Sequence, residues 1–399
     1  MNVRQGFVTL AAVAAIVGPQ AAAEAQIAEI ANAQAADPVA PYVRASGWVQ
    51  TGDGPVFVEL MLDDTNAGLR LRSADNADPK INVLEPRQAL DLLADRRMQF
   101  LWGPLAEWAG PGLEKMRDRS LAQLRTAAAA GRPGRPPTMT SESAVRPRIR
   151  AIVQLANFLT GVGQGAEAER ILQDQLLTMK PRTDGSWSAI EWFSVAAAIS
   201  TSRWERGDSD GAIAQYEFIE RTLGNSPYTD NATISRAALL ARTGRYDEVL
   251  RTIDPLYTRW SSQNREYKVK GSERQFAWIR ACALHGLGRH AEAEVAFRPV
   301  LEASETRDPH YVIETDDELQ IRGLVCMGDV GGVSAMMAAA LKDDILTSSV
   351  LILQPSYRPN RDVELWAKIR SDENLARLAR ERMRILPPEL TPALNGWRK

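Results

Sequence analysis

Three histidines, His285, His290 and His310, are the side chains in this sequence best suited to holding a metal or moving a proton. His285 and His290 lie five positions apart. Neither belongs to a His-x-x-x-His pair, the spacing that puts two imidazoles on one helical face. No metal site is expected from them. GVGQG (161–165) has the glycines of a phosphate-cradling loop. Such a loop follows a strand, whereas helical patterning precedes this one, so a turn between helices is expected. Arg206-Gly207-Asp208 spells an adhesion tripeptide but sits in a similar turn. Asn231-Ala232-Thr233 fits a glycosylation sequon. Glu314, Asp316, Asp317 and Glu318 would suit calcium or acid–base work, yet Thr315 and Glu318 have the spacing of a capping box, and acids in a first turn oppose the helix dipole favourably. No G-x-S-x-G elbow and no Walker-type loop occurs. The expected set of catalytic, cofactor-binding and metal-ligating residues is therefore empty.

The elements that would position any site are mainly helical. The 399 residues suffice for two or three domains or for one solenoid. Hydrophobic content of 45% and charged content of 25% are those of an ordinary globular chain. A net charge of −2 lacks the basic face that nucleic-acid binding needs, so no nucleic-acid partner is expected.

The N-terminus reads as an export signal. Arg4 precedes an apolar run, GFVTLAAVAAIVG (6–18), and small residues follow at A-x-A spacing in Ala21/Ala23 and Ala23/Ala25. Cleavage is expected after Ala23 or Ala25, placing the mature chain in the periplasm or outside the cell. The run is short of the roughly 20 residues a bilayer span requires, and no later stretch supplies an integral span. Residues 24–39 read as a leader. WVQTGDGPVFVELML (48–62) pairs turn chemistry with strand-type alternation, and predicts a β-hairpin. Helices are expected from Pro86 and from Pro111, which makes 40–130 a small N-terminal domain. GRPGRPPTMTSES (131–143) opens a linker, 131–146.

From 147 to 343 a pattern recurs. Gly163, Gly207, Gly244, Gly288 and Gly328 are spaced 44, 37, 44 and 40 apart. Five positions after each lies a small or aliphatic residue (Ala168, Ala212, Val249, Ala293, Val333), and nine after lies a larger apolar one (Leu172, Tyr216, Ile253, Phe297, Met337). Glycine closes one helix and turns the chain. The small residue lets the second helix approach, and the large one, a turn further on, fills the interface. About five helical hairpins are expected. Pro255 and Pro299, inside the second helices, are expected to kink or shorten them.

AALLARTGRYDEVLRTIDPLY (237–257) and RACALHGLGRHAEAEVAF (280–297) resemble the tetratricopeptide-repeat (TPR) family, whose unit is about 34 residues. Ala237, Gly244, Tyr246 and Val249, like Ala281, Gly288, Ala293 and Phe297, occupy the family's small, turn and packing positions. The longer periods and the missing closing proline depart from the pattern. The resemblance implies a mainly α, TPR-like solenoid. Its C-terminal segment, 344–399, would cap the open end, with Ser371 as an N-cap and Leu375, Leu378 and Met383 as a docking stripe.

The family register puts Cys282 and Cys326 about one turn out of step on neighbouring first helices, awkward for a disulfide; two buried thiols are expected. The family binds ligands on its first helices, which implies Trp204, Arg242, Trp278, His285 and Arg322 as partner-facing residues. His290 stands where the repeat has an aromatic and reads as packing. The Lys/Asn set of chaperone-tail clamps is missing. The resulting expectation is an exported, non-catalytic scaffold binding a protein or peptide. A carbohydrate hydrolase or lyase on a helical toroid, and a subunit that self-associates into a homo-oligomer, are the alternatives.

Overall fold

A computed structural model describes residues 42–51, 54–64, 66–72, 81–84, 86–129, 142–183, 187–224, 226–262, 272–301, 316–343, 350–358 and 363–395. The export signal, the leader, most of the 131–146 linker, His310 and the Thr315 capping box lie outside these residues. The chain is mainly helical and divides into two compact units, 121–330 and a unit made of 42–120 with 331–395.

The unit spanning 121–330 contains the repeats. Its helices are the end of α2 (Gln99–Ala129), α3 (Glu142–Gly161), α4 (Gly165–Leu177), α5 (Trp187–Glu205), α6 (Ser209–Leu223), α7 (Pro227–Arg242), α8 (Tyr246–Ser262), α9 (Ser272–Gly286), α10 (His290–Leu301) and α11 (Asp316–Cys326). They pack consecutively, and each odd-numbered helix from α3 also meets the next odd-numbered one. The five turn glycines all have positive φ, from 69° to 85°. Each glycine N–H donates to the carbonyl three residues back, at 2.9–3.3 Å, and the next N–H to the carbonyl five before it, at 2.7–3.0 Å. This is the Schellman closure, which needs a left-handed residue and selects glycine. All ten residues at the +5 and +9 positions are buried. The repeated glycine is thus the place where a helix ends and where the register of the next buried face is set. Pro255 does not shorten α8, which runs on to Ser262, and α10 runs through Pro299 to Leu301.

The cysteines correct the expectation of free thiols. Cys282 and Cys326 form a disulfide with their Cα atoms 5.5 Å apart, inside the bonding range. Helices α9 and α11 pack directly on each other, which brings the two cysteines within bonding reach.

The other described unit starts with an antiparallel meander, larger than a single hairpin. Strands β1 (Tyr42–Thr51), β2 (Gly54–Leu62) and β3 (Ala67–Arg72), with the short β4 (Ile81–Val83), pair in chain order. Leu60 faces Leu69, and Glu59 faces Arg70. Glu59 accepts from Arg70 at 2.7 Å and lies 3.0 Å from Arg72. After α1 (Pro86–Ala94), α2 runs unbroken through Pro104 and Pro111, so Pro111 does not begin a helix. Helix α12 (Val330–Asp343) buries Val333 and Met337.

The C-terminal segment packs on the N-terminal elements of this unit. Helices α13 (Val363–Arg370), α14 (Glu373–Arg382) and α15 (Thr391–Leu394) belong to this unit, and the stripe of Leu375, Leu378 and Met383 is buried. Asp95 and Met383 form a β-bridge, and the Arg384 N–H donates to the Ala94 carbonyl at 2.7 Å. Buried Gln354 donates to the Arg384 carbonyl and accepts from the Leu386 N–H, which satisfies both ends of its amide. The N-cap of α14 is Asp372, which accepts from the Leu375 N–H at 2.8 Å. The Ser371 hydroxyl turns back to the Lys368 carbonyl.

Candidate functional site

The residues singled out for partner binding lie on α5, α7, α9 and α11. Trp204, near the end of α5, is 4% exposed. The Arg242 guanidinium, at the end of α7, sits 4.7 Å from its ring centroid, a cation–π contact. Trp278, on α9, is also 4% exposed. Both tryptophans are therefore packing residues, and neither offers a ring face to solvent. Arg242, His285 and Arg322 are half-buried. The structure joins Trp204 to Arg242, and it joins His285 to a residue not among the five.

That residue is His290. Helix α9 ends at Gly286 and α10 begins at His290, so the turn at Gly288 folds the two imidazoles together. Their Nδ1 atoms are 3.2 Å apart and their rings meet edge to face at 4.6 Å. One Nδ1 donates and the other accepts, which requires at least one neutral ring. Burial, and then the neighbouring His290, hold the His285 pKa below the ordinary histidine value. The unfolded chain then binds more protons than the folded one between the two values. Stability from this group is complete above the ordinary histidine pKa of about 6.5 and is lost as pH falls through the folded value. The urea midpoint of the protein should fall across that window, and His285→Gln should fall less. Equal slopes in both proteins would remove the histidine pair as the cause.

Ion pairs recur along the hairpin seams, a feature that sequence reading missed. Arg203 on α5 reaches Glu169 on α4 at 2.9 Å, and Arg206 pairs with the same carboxylate. Arg236 on α7 reaches Glu220 on α6 at 2.9 Å. Arg280 on α9 reaches Asp254 on α8 at 2.7 Å, with its guanidinium also over Tyr257. Arg203, Arg236 and Arg280 come from first helices, Arg206 from the turn that follows one, and each acid from the second helix before it. These positions vary in register relative to the turn glycines, which is why spacing alone did not reveal them. The Arg-Gly-Asp tripeptide is absorbed into this framework. Arg206 pairs with Glu169, Gly207 makes the turn, and Asp208 caps α6 by accepting from the Gly211 N–H. GVGQG is the α3–α4 turn, and the sequon lies within α7 with Ala232 buried.

Among the described residues no group of three His, Cys, Asp or Glu is placed to hold a metal ion. Buried Glu59 and Asp95 each have arginine partners, Arg70 and Arg72 for the first and Arg97 for the second. No described helix is long and apolar enough to cross a membrane. No family model, curated protein or solved structure matches the chain.

Proposed function

We propose that this protein is an exported, non-catalytic helical-repeat scaffold, TPR-like in its unit, that binds a protein or peptide segment in the cell envelope. The observation that carries this reading is the run of consecutively packed hairpins with one buried register and one turn closure. Hairpins stacked this way expose a series of equivalent first helices, which suits an extended polypeptide ligand. The N-terminal apolar run and A-x-A sites support export, and so does the Cys282–Cys326 bond, since disulfides persist in oxidising compartments.

On this reading Arg242, His285 and Arg322 make the contact. Trp204 and Trp278 shape the face from beneath. Replacing the tryptophans would damage the core, so charge reversal of the arginines is the cleaner test. The mature chain is crosslinked in envelope extract and its captured proteins are identified by mass spectrometry, beside an Arg242→Glu/Arg322→Glu variant. A protein held by the wild type and lost by a variant of unchanged helix content is the expected result. An identical captured set from both would show that this face is not the binding surface. Capture of the chain's own copies alone would replace the scaffold reading with self-association.

A further inference from the structure

Two arginines in the C-terminal segment converge, and among the described residues no carboxylate pairs with either. Arg358 follows the 3-10 turn at 350–353 and donates from Nη1 to the Pro355 carbonyl at 2.6 Å and to the Tyr357 carbonyl at 3.4 Å. Its backbone N–H is fixed by the Asn395 side chain at 2.9 Å. Arg370, the last residue of α13, donates from Nη2 to the same Tyr357 carbonyl at 3.2 Å, with its guanidinium 6.0 Å from the Tyr357 ring centroid. Both cations thus meet at one carbonyl oxygen.

Three facts set this pair apart from the arginines of the hairpin seams. Among the described residues no carboxylate pairs with Arg358 or Arg370, whereas Arg203, Arg236 and Arg280 each have one. The Arg370 Nε is buried without a hydrogen-bond acceptor. The hydroxyl of Ser356, beside Tyr357, is also buried without a partner. Burial, and then the charge of Arg358, push the Arg370 pKa down, so its charge is opposed where it stands. Orphaned donors and uncompensated like charges are unfavourable in a protein interior.

We propose that Arg358 and Arg370, with the Ser356 hydroxyl, form a binding site for a tetrahedral oxyanion of the phosphate type. One anion would supply a counter-charge to both guanidiniums and acceptors for the spare N–H groups and the hydroxyl. Guanidinium forks match such oxygens bidentately. A carboxylate has two oxygens for three donor groups, and a phosphate has more. Free phosphate and a phosphomonoester share this chemistry.

The test is thermal unfolding of the full chain, with isothermal titration calorimetry beside it, in phosphate-free buffer at constant ionic strength. Inorganic phosphate, glycerol phosphate, acetate and chloride are compared. Phosphate in excess should raise Tm by about 2–4 °C over chloride and give a saturable heat. Arg358→Gln and Arg370→Gln should each lose both effects. Arg358 is exposed, so its variant keeps the test readable if Arg370→Gln does not fold. Glycerol phosphate matching phosphate would place the site on phosphoryl groups of larger ligands, and its failure would restrict the site to the free ion. A shift no larger than that of chloride, an equal response to acetate, or a response retained in Arg358→Gln would overturn the proposal.

Discussion

Replacing both cysteines, as Cys282→Ala/Cys326→Ala, is expected to lower stability by roughly 2–4 kcal/mol, among the largest effects of any change in the chain. The bond joins residues 44 apart in sequence, and the chain-entropy relation gives about 4 kcal/mol for a loop of that length. Cys282 is fully buried and Cys326 half-buried, so alanine is a better replacement than serine, which would bury a hydroxyl at position 282. The bond ties α9 to α11 and so joins two successive, directly packed hairpins. The measurement is a urea midpoint with and without reductant. The wild type should lose stability on reduction, and the double variant should not respond. Two titratable thiols in the unreduced, denatured protein would refute the bond.

Phe297→Ala should cost about 3–5 kcal/mol, as deleting a buried aromatic leaves a cavity that its surroundings fill only in part. Phe297 is 2% exposed, at the +9 position of the α9–α10 hairpin. Its ring lies where a Cβ on Gly323 of α11 would be, so the two residues interlock across the same junction as the disulfide. Gly323→Ala should therefore destabilise as well, by about 1–3 kcal/mol through overpacking. Together the two changes should cost less than their sum, since a shortened side chain at 297 makes room for the new methyl. Strict additivity in a double-mutant cycle would show that the ring and the glycine do not share the space.

Local features of the repeats were legible in the sequence because they depend on local backbone physics. A glycine that must adopt positive φ, with a small residue five positions on and a large one nine on, specifies helix end, turn and buried face without reference to the rest of the chain. The five turns and the burial of Ala168, Phe297 and their counterparts follow from that. The β1–β2 hairpin was readable for the same reason. Strand β3 was readable in principle from the alternation of Leu69 and Leu71 with Arg70 and Arg72.

What required tertiary structure was every relation between segments distant in sequence. The direct packing of α9 against α11 turned an awkward cysteine register into a bond. Packing decided that Trp204 and Trp278 lie inside, although their types and helix positions suit an anchor equally well. The C-terminal stripe of Leu375, Leu378 and Met383 announced that it would dock, but an amphipathic face carries no address. Backbone pairing of Asp95 with Met383 and of Ala94 with Arg384 chose its neighbour. The convergence of Arg358 and Arg370 on one carbonyl arises from two separate segments, and no spacing rule links them. Periodicity encodes which face of an element is buried, while the partner of that face depends on the summed complementarity of surfaces that meet only when the chain has folded.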